Sequence, residues 1–339
     1  MVIAVDASGG QYAPHEIVKG AIKAAQDFKV QITLVGRRDI LYVQASRHLR
    51  KLGISIVDAS EVIDDHEPPI EAVNSKPASS IVIGTNLVKE GLASAFVSAG
   101  NTGAVLYASL LNLGKIPGIE RPAIGTIINI NITSPFLLID SGANANCRPN
   151  HLVQFAQLGT IYTREVLGIE HPRVALLNNG EEETKGNRLV RESYRLLKKT
   201  NLNFVGNIEG QNLSRGVADV VVTDGFTGNI VLKTMEGLGD TFLKLRNVGQ
   251  LLSSAYHTQT RAMLHDVSLG SLIKRVDYRE SGGACLLGVN GNIIIAHGRS
   301  QAKAIKNAIG LAKQSVERGV CQIIQQQHYQ QVPVAARDK

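Results

Sequence analysis

The chain of 339 residues contains no tryptophan, and aromatic residues together make up only 4% of it. Proteins that bind single-stranded nucleic acid stack bases on aromatic side chains, so this composition argues against such a partner. Cysteine is also scarce: Cys147, Cys285 and Cys321 are too few and too widely spaced for a disulfide framework or a four-ligand zinc site. We therefore expect a protein of a reducing compartment, with no metal site and no nucleic acid partner.

Long hydrophobic runs are missing as well. Residues 91–114 and 122–139 carry no charge, but polar residues, glycines and prolines interrupt both stretches. A membrane-spanning helix needs about 20 predominantly apolar residues. The first apolar residues lead directly to Asp6, without the basic start and long apolar core of a signal peptide. These features predict a cytoplasmic protein.

Glycine is the residue in excess, with 33 in the chain. Short apolar, β-branched runs alternate with segments of helical periodicity, which predicts an α/β protein: a three-layer αβα fold with a largely parallel sheet. We interpret residues 1–321 as one α/β domain with an inserted helical hairpin near 240–280. Residues 58–78 are expected to form a loop, and the polar residues 322–339 a flexible tail.

Five loops rich in glycine, hydroxyl and amide residues each follow a predicted strand. Ligands of open α/β sheets bind beyond the carboxyl ends of the strands, and the free N–H groups at a helix start attract anions. None of the loops has the dinucleotide or Walker pattern, and together they favour a phosphate-type ligand over ordinary turns. The loops are residues 6–10, 98–103, 140–144, 178–187 and 224–229.

Three residues in or near these loops are candidates for chemistry, each with a plainer alternative. The ammonium of Lys185 can bind an oxyanion or form a surface ion pair with the glutamates at 181–183. Asn229, at a predicted helix start, can donate an amide hydrogen bond to an oxyanion or act as a helix N-cap. His297 is either a site residue or an ordinary loop histidine, and the sequence leaves both open.

Charge is distributed unevenly along the chain. Residues 1–239 carry 23 Lys+Arg and 23 Asp+Glu, whereas residues 240–339 carry 13 and 6. A localised basic region favours an acidic partner, which can be an acidic protein, an anionic membrane or nucleic acid; a solvated face without a partner is the alternative. The basic residues that we select as docking candidates are Arg261, Lys274, Arg275 and Arg279.

Five strings of the sequence resemble those of one protein family. They are VDASGG ending at residue 10, VSAGNTGA at 97–104, NNGEEETKGN at 178–187, ADVVVTDGFTGN at 218–229 and YRESGGACLLGVNG at 278–291. Together they resemble the bacterial phosphate acyltransferases of phospholipid synthesis, over the chain as far as about residue 300.

The resemblance implies a dimeric enzyme without a cofactor, with the fold of phosphotransacetylases and isocitrate-type dehydrogenases. The implied reaction moves a long fatty acyl chain from acyl carrier protein to inorganic phosphate. The acyl phosphate would then serve a membrane glycerol-phosphate acyltransferase, and we expect peripheral contact with an anionic membrane. Carried over by position, the catalytic residues are Lys185 and Asn229, and the substrate-binding residues are Asp6, Gly9, Gly10, Asn101, Thr102, Gly103, Asp224 and Gly225.

The sequence departs from the family pattern at three places: Gln11 replaces an acid, residues 74–77 are less basic, and Asn179 replaces a small apolar residue. Two other readings remain open. A dehydrogenase of the same fold would need an acidic metal cluster or a dinucleotide loop. A non-enzymatic scaffold would use the basic region to bind a membrane or a protein.

Overall fold

A single mixed sheet forms the centre of the protein in the computed structural model, which describes residues 1–129, 135–255 and 282–329. Its strand order is β3-β2-β1-β4-β11-β10-β5-β6-β9-β7-β8. The strands are β1 (Val2–Asp6), β2 (Gln31–Gly36), β3 (Ile54–Asp58), β4 (Ala95–Ser98), β5 (Ala123–Ile128), β6 (Phe136–Ile139), β7 (Val174–Asn178), β8 (Phe204–Glu209), β9 (Val220–Val222), β10 (Ala284–Leu287) and β11 (Asn292–Ile295).

Helices cover both faces of this sheet, so the predicted three-layer α/β architecture with a mostly parallel sheet is confirmed. The helices are α1 (His15–Phe28), α2 (Arg38–Leu52), α3 (Pro69–Ser75), α4 (Ser80–Lys89), α5 (Thr102–Asn112), α6 (Pro149–Leu167), α7 (Arg188–Leu197), α8 (Gly225–Ala255), α9 (Ala302–Glu317) and α10 (Val320–Tyr329).

The sheet consists of two parallel blocks that run in opposite directions. Strands β3, β2, β1, β4 and β11 are parallel to one another, as are β6, β9, β7 and β8. Strands β10 and β5 join the blocks through three antiparallel pairings. The loops after β1 and β4 therefore leave one edge of the sheet, and those after β6, β7 and β9 leave the other. Because β4, β6, β10 and β11 have four residues each, these edges are only ~13 Å apart at the centre.

Alternation along the strands assigns side chains to the two faces. Ile3 and Val5 of β1 belong to a core that includes buried residues of α1, α6 and α9, whereas Ala4 belongs to a core on the opposite face with residues of α4 and α5. This is the period-2 pattern of a sheet buried on both sides. Helix α1 buries a stripe that includes Ile17 and Ala21, spaced as one face of a helix requires.

The second face has two separate hydrophobic cores rather than one. The first lies under α3, α4 and α5 and includes Ile124 of β5. The second includes Leu232 and Met235 of α8 and the other end of β5, at Ile128. Strand β5 thus bridges the two cores, and the space between α5 and α8 above it forms a groove.

Two local expectations differ from the structure. Residues 58–78 contain helix α3, which begins at Pro69, where a missing N–H is tolerated. The segment expected to be a flexible tail from residue 322 is helical as far as Tyr329, and Ile324 is buried. Of the predicted hairpin near 240–280, helix α8 accounts for residues up to Ala255, and the remainder lies outside the described residues.

Candidate active site

The groove between α5 and α8 has a volume of about 510 Å³. Its volume is within the range of small-molecule sites, which combine apolar walls with a few polar groups. Its apolar lining includes Leu106, Ile124, Ile128, Leu232, Met235, Ala284 and Ile295. Its polar lining includes Thr102, Thr126, Ser141, Asn229, Lys233, Glu236, His297 and Ser300.

The loop after β6 forms one end of the groove and is shaped by the buried Asp140. The Asp140 carboxylate accepts hydrogen bonds from the backbone amides of Gly142, Ala143 and Asn144, at 3.1, 2.9 and 2.7 Å. It also accepts one from the backbone N–H of Ile124 at 3.1 Å, which joins the loop to β5. Asp140 therefore fixes the path of the groove wall without contacting the groove itself.

Asp6 has the corresponding position at the end of β1. It is buried, accepts backbone N–H bonds from Ser8 and Gly9 at 3.0 Å each, and accepts the Ser98 hydroxyl at 2.6 Å. Burial raises the pKa of its carboxyl despite these hydrogen bonds. A side chain added at Gly9 would collide with the Asp6 carboxylate. Asp6 and Gly9 thus form a compact turn, and neither is among the residues that line the groove.

The loop after β4 places two of the predicted binding residues in the groove. Asn101 is buried and caps α5, accepting the Ala104 N–H at 3.0 Å. Its amide nitrogen lies 3.2 to 3.3 Å from three backbone carbonyls of residues 64–67. Asn101 thus ties this loop to residues 64–67, while Thr102 and Gly103 line the groove. Gly10 lies near the same loop, against Ala99 and the carbonyl oxygen of Gly298.

Helix α8 begins at Gly225, which corrects the expectation that a helix starts at Asn229. Asp224 caps it: its carboxylate accepts the Thr227 N–H at 2.9 Å and the Thr227 hydroxyl at 3.0 Å. The Gly225 N–H donates to the carbonyl of Asn144 at 2.8 Å. A side chain at Gly228 would collide with the carbonyl oxygen of Asp140, so this glycine lets α8 approach the loop after β6.

Asn229 lies one turn inside α8 and lines the groove close to Gly142. It is exposed, and its amide has no hydrogen-bond partner within the part of the chain that the structure describes. The N-cap alternative is therefore wrong for Asn229. The amide remains available to a ligand in the groove.

Lys185 lies in the exposed loop between β7 and α7 and is not among the residues that line the groove. Two of the three nearby glutamates have other partners: Glu181 accepts from Asn212 at 2.7 Å, and Glu183 pairs with Lys198 at 3.2 Å. No carboxylate of the described residues lies within 4.0 Å of the Lys185 ammonium nitrogen. The structure therefore does not bring Lys185 into the groove beside Asn229.

Three side chains form a cluster on the groove wall, and the sequence did not predict that they lie together. Lys233 and Glu236 of α8 form an ion pair at 2.8 Å, and His297, after β11, lies 3.4 Å from the same Glu236 oxygen. His297, left open by the sequence, is therefore part of the groove. The i, i+3 spacing of Lys233 and Glu236 was readable, but nothing in the sequence indicates that residue 297 joins them.

The docking candidates Arg261, Lys274, Arg275 and Arg279 lie outside the described residues. Of the helices described, none is long and apolar enough to cross a membrane. Within residues 1–129, 135–255 and 282–329, no three His, Cys, Asp or Glu side chains form a group that could hold a metal ion.

Solved structures define the class of the fold. A phosphotransacetylase from Streptococcus pyogenes superimposes with a TM-score of 0.60 at 19% identity, covering 94% of each chain. A branched-chain phosphotransacylase from Enterococcus faecalis superimposes with a TM-score of 0.59 at 16% identity, covering 93% of this chain and 99% of that one. The protein therefore has the phosphotransacetylase fold.

Sequence comparison then gives the family. The family model described as "Fatty acid synthesis protein" matches residues 1–323. The phosphate acyltransferase of Dehalococcoides mccartyi is 60% identical over 96% of this chain and 93% of its own length. That of Heliobacterium modesticaldum is 50% identical over 96% and 97%. The chain belongs to this fatty acid synthesis family of phosphate acyltransferases, and it is an acyltransferase.

Proposed function

We propose that the protein transfers a long-chain acyl group from a thioester of acyl carrier protein to inorganic phosphate, in the groove between α5 and α8. The observation that carries this proposal is the unpartnered Asn229 amide on the wall of an apolar groove. The names of the relatives supply phosphate as acceptor and fatty acid synthesis as context. The donor and product are our inference.

The apolar part of the groove suits the fatty acyl chain. Ile124 and Ile128 lie two pleats apart on β5, and Leu106 and Met235 lie on the flanking helices. Each buried methylene contributes about 0.8 kcal/mol to binding, so such a surface would hold a long chain while the polar groups face the thioester.

The chemistry requires no covalent intermediate on the protein. A phosphate oxygen attacks the thioester carbon, forming the C–O bond and a tetrahedral oxyanion, and the C–S bond then breaks. The proton lost by hydrogen phosphate ends on the released thiol, so atoms and charge balance. The Asn229 amide would donate to the oxyanion, where one preorganised donor contributes about 10²–10³ in rate.

Lys185 enters the mechanism on the strength of the family resemblance. Its ammonium is exposed and has no carboxylate partner among the described residues, so it is available to an anion. We assign Lys185 to the electrostatic attraction of phosphate as that anion approaches. Direct contact with the bound phosphate is assigned to residues that line the groove.

We also propose that the protein is a homodimer that docks acyl carrier protein through the basic residues after 239 and contacts anionic membrane close by. The concentration of charge in that region supports the docking and the membrane contact, whereas the homodimer is what the family resemblance implies. The product would be passed to a membrane glycerol-phosphate acyltransferase, because an acyl phosphate is a reactive mixed anhydride.

The deciding experiment incubates the protein with palmitoyl acyl carrier protein and inorganic phosphate and measures acyl phosphate by mass spectrometry. We expect product only when both substrates and protein are present, and a strong loss with Asn229→Ala. Thioester loss that does not depend on phosphate, or reduction of an added nicotinamide cofactor in its place, would contradict the proposal.

A further inference from the structure

Lys233 follows Asn229 by four residues on α8, so the two side chains lie on the same face of the helix, about 6 Å apart along its axis. Both line the groove. Lys233 is also the one lysine or arginine among the described residues that line it. A permanent positive charge therefore lies one helical turn from the amide that we assign to the oxyanion.

The Lys233 ammonium is held in place by the Glu236 carboxylate. Its nitrogen lies 2.8 Å from the Glu236 carboxylate and 3.2 Å from Nε2 of His297. The backbone N–H of Arg299 donates to Nδ1 of His297 at 3.0 Å, so a neutral imidazole carries its proton on Nε2, which faces Glu236 at 3.4 Å. Lys233 Nζ and His297 Nε2 are thus both donors that face the same Glu236 oxygen, and they do not hydrogen-bond to each other.

This arrangement leaves the ammonium with donors to spare. An ammonium has three N–H groups, and the ion pair with Glu236 uses one of them. The Lys233 side chain is 54% exposed, whereas that of Glu236 is 15% exposed. The ammonium is therefore oriented by a largely buried partner and still accessible from the groove.

Glu236 remains ionised in this setting. Burial raises the pKa of its carboxyl, but the hydrogen bonds from His297 and Lys233 outweigh burial and lower the pKa below its usual range. The carboxylate therefore serves as a constant counter-ion that fixes the position of the lysine.

We propose that Lys233 binds the phosphate nucleophile, holding it one helical turn from Asn229 on the groove wall. The inference rests on the proposed function, because phosphate is the acceptor only in that reaction. An oxygen of phosphate would accept from Lys233 while another attacks the thioester carbon and Asn229 donates to the oxyanion. Glu236 and His297 would act as positioning residues, since Glu236 pairs with the Lys233 ammonium and His297 in turn contacts Glu236.

Another phosphoryl group could account for such a site, namely the phosphodiester of the carrier protein's pantetheine arm. The two sources share the same chemistry toward an ammonium, but they differ kinetically. If Lys233 binds free phosphate, its substitution changes the KM for phosphate. If it binds the pantetheine arm, its substitution changes the KM for the acyl carrier substrate.

The test compares Lys233→Met and Lys233→Arg with Lys313→Met. The control removes a lysine that forms a similar i, i+4 ion pair with Glu317 at 3.1 Å on α9, away from the groove. Steady-state kinetics give the KM for phosphate and for palmitoyl acyl carrier protein separately. Binding of inorganic phosphate without any acyl donor is followed by ³¹P line broadening and by thermal stabilisation, which increases with bound ligand.

We expect Lys233→Met to raise the KM for phosphate by about tenfold or more, the scale of one charge-assisted hydrogen bond, and to leave the KM for the carrier unchanged. Lys233→Arg should recover part of this loss, because guanidinium also binds phosphate. Phosphate should stabilise the wild type and Lys313→Met but not Lys233→Met.

An unchanged KM for phosphate in Lys233→Met, or a loss confined to thermal stability, would overturn the proposal. A rise only in the KM for the carrier would assign Lys233 to the pantetheine arm and overturn it equally. If the wild type makes no acyl phosphate, the proposed function fails, and the phosphate-binding measurements still decide whether Lys233 is an anion site.

Discussion

Asp224 caps helix α8 by accepting the backbone N–H of Thr227 at 2.9 Å. This hydrogen bond makes Asp224 the N-cap of a helix that begins at Gly225, and it leaves Asn229, more than one turn later, without a capping role. The two polar residues at the ends of the motif DGFTGN therefore have different duties: Asp224 stabilises the helix terminus and Asn229 faces the groove.

The first prediction follows from that division. Asn229→Ala should lower turnover by about 10²–10³ with little change in the free energy of unfolding, because the amide has no partner in the described structure. Asp224→Ala, the matched control, should lose roughly 1 kcal/mol of stability, the usual cost of an N-cap. Turnover and denaturant unfolding are measured on both. A large stability loss with unchanged turnover in Asn229→Ala would remove it from the chemistry.

The second prediction concerns the pH dependence of stability at Asp6. Because burial raises the pKa of this carboxyl above its usual value of 3.8, the folded state favours the protonated form. Its contribution to stability is therefore greatest below pH 3.8 and is lost as pH rises toward the raised pKa. Asp6→Asn cannot ionise, and its side-chain oxygen can still accept from Ser8 and Gly9.

Asp6→Asn should consequently gain stability relative to the wild type as pH rises from about 4. Denaturant unfolding at several pH values measures the difference, and Asp39→Asn on the exposed start of α2 serves as control, since the pKa of Asp39 is lowered by Arg37. A difference between Asp6→Asn and wild type that does not change with pH would contradict the assignment.

The strand–loop–helix pattern was enough to predict the architecture. Of the five loops that it singled out, those at 98–103, 140–144 and 224–229 line the groove, whereas those at 6–10 and 178–187 do not. The pattern could not predict the direction of the two blocks, because that depends on pairings such as Gly125 with Cys285, which are 160 positions apart in the chain. The groove could not be predicted for the same reason. It lies above β5 between two cores, and no local sequence pattern indicates which strand of the sheet lacks a helix above it.

Roles within the loops were harder to predict than their places. Asp6, Asn101 and Asp224 were predicted to bind substrate; in the structure their side chains hydrogen-bond to neighbouring backbone groups, and their contact with substrate stays a prediction. Small polar residues at strand ends serve capping and ligand binding equally well, so residue type alone does not separate the two. The contribution of His297 depends on a contact 64 residues away, with Lys233.

The third prediction tests the acyl part of the groove. Leu106→Trp on α5 should narrow the groove and raise the KM for palmitoyl acyl carrier protein more than that for a short-chain acyl donor. The reason is that each methylene displaced from the wall loses about 0.8 kcal/mol of binding, roughly fourfold in affinity. Leu111→Trp, at an exposed position of the same helix that does not line the groove, is the control. Equal effects on long and short donors would place the acyl chain elsewhere.

The last prediction concerns carrier docking through the basic region after residue 239. Reversing charge with Lys274→Glu and Arg275→Glu should raise the KM for acyl carrier protein and leave the KM for phosphate unchanged, because the first partner is an acidic protein and the second binds in the groove. Long-range attraction between exposed charges is screened beyond about 8 Å at physiological ionic strength. Added salt should therefore raise the wild-type KM for the carrier, and have much less effect on the variant.

The control for this prediction is a double reversal at Arg188 and Arg191, two exposed positions of α7 within residues 1–239, which carry no net charge. The control changes the total charge by the same amount as the reversal at 274 and 275. An equal rise in the KM for the carrier in both variants would show that overall charge, and not these two positions, causes the effect. The prediction is contradicted if the variant reversed at 274 and 275 keeps its affinity for the carrier and the wild-type KM does not depend on salt. Acyl carrier protein would then dock without these residues.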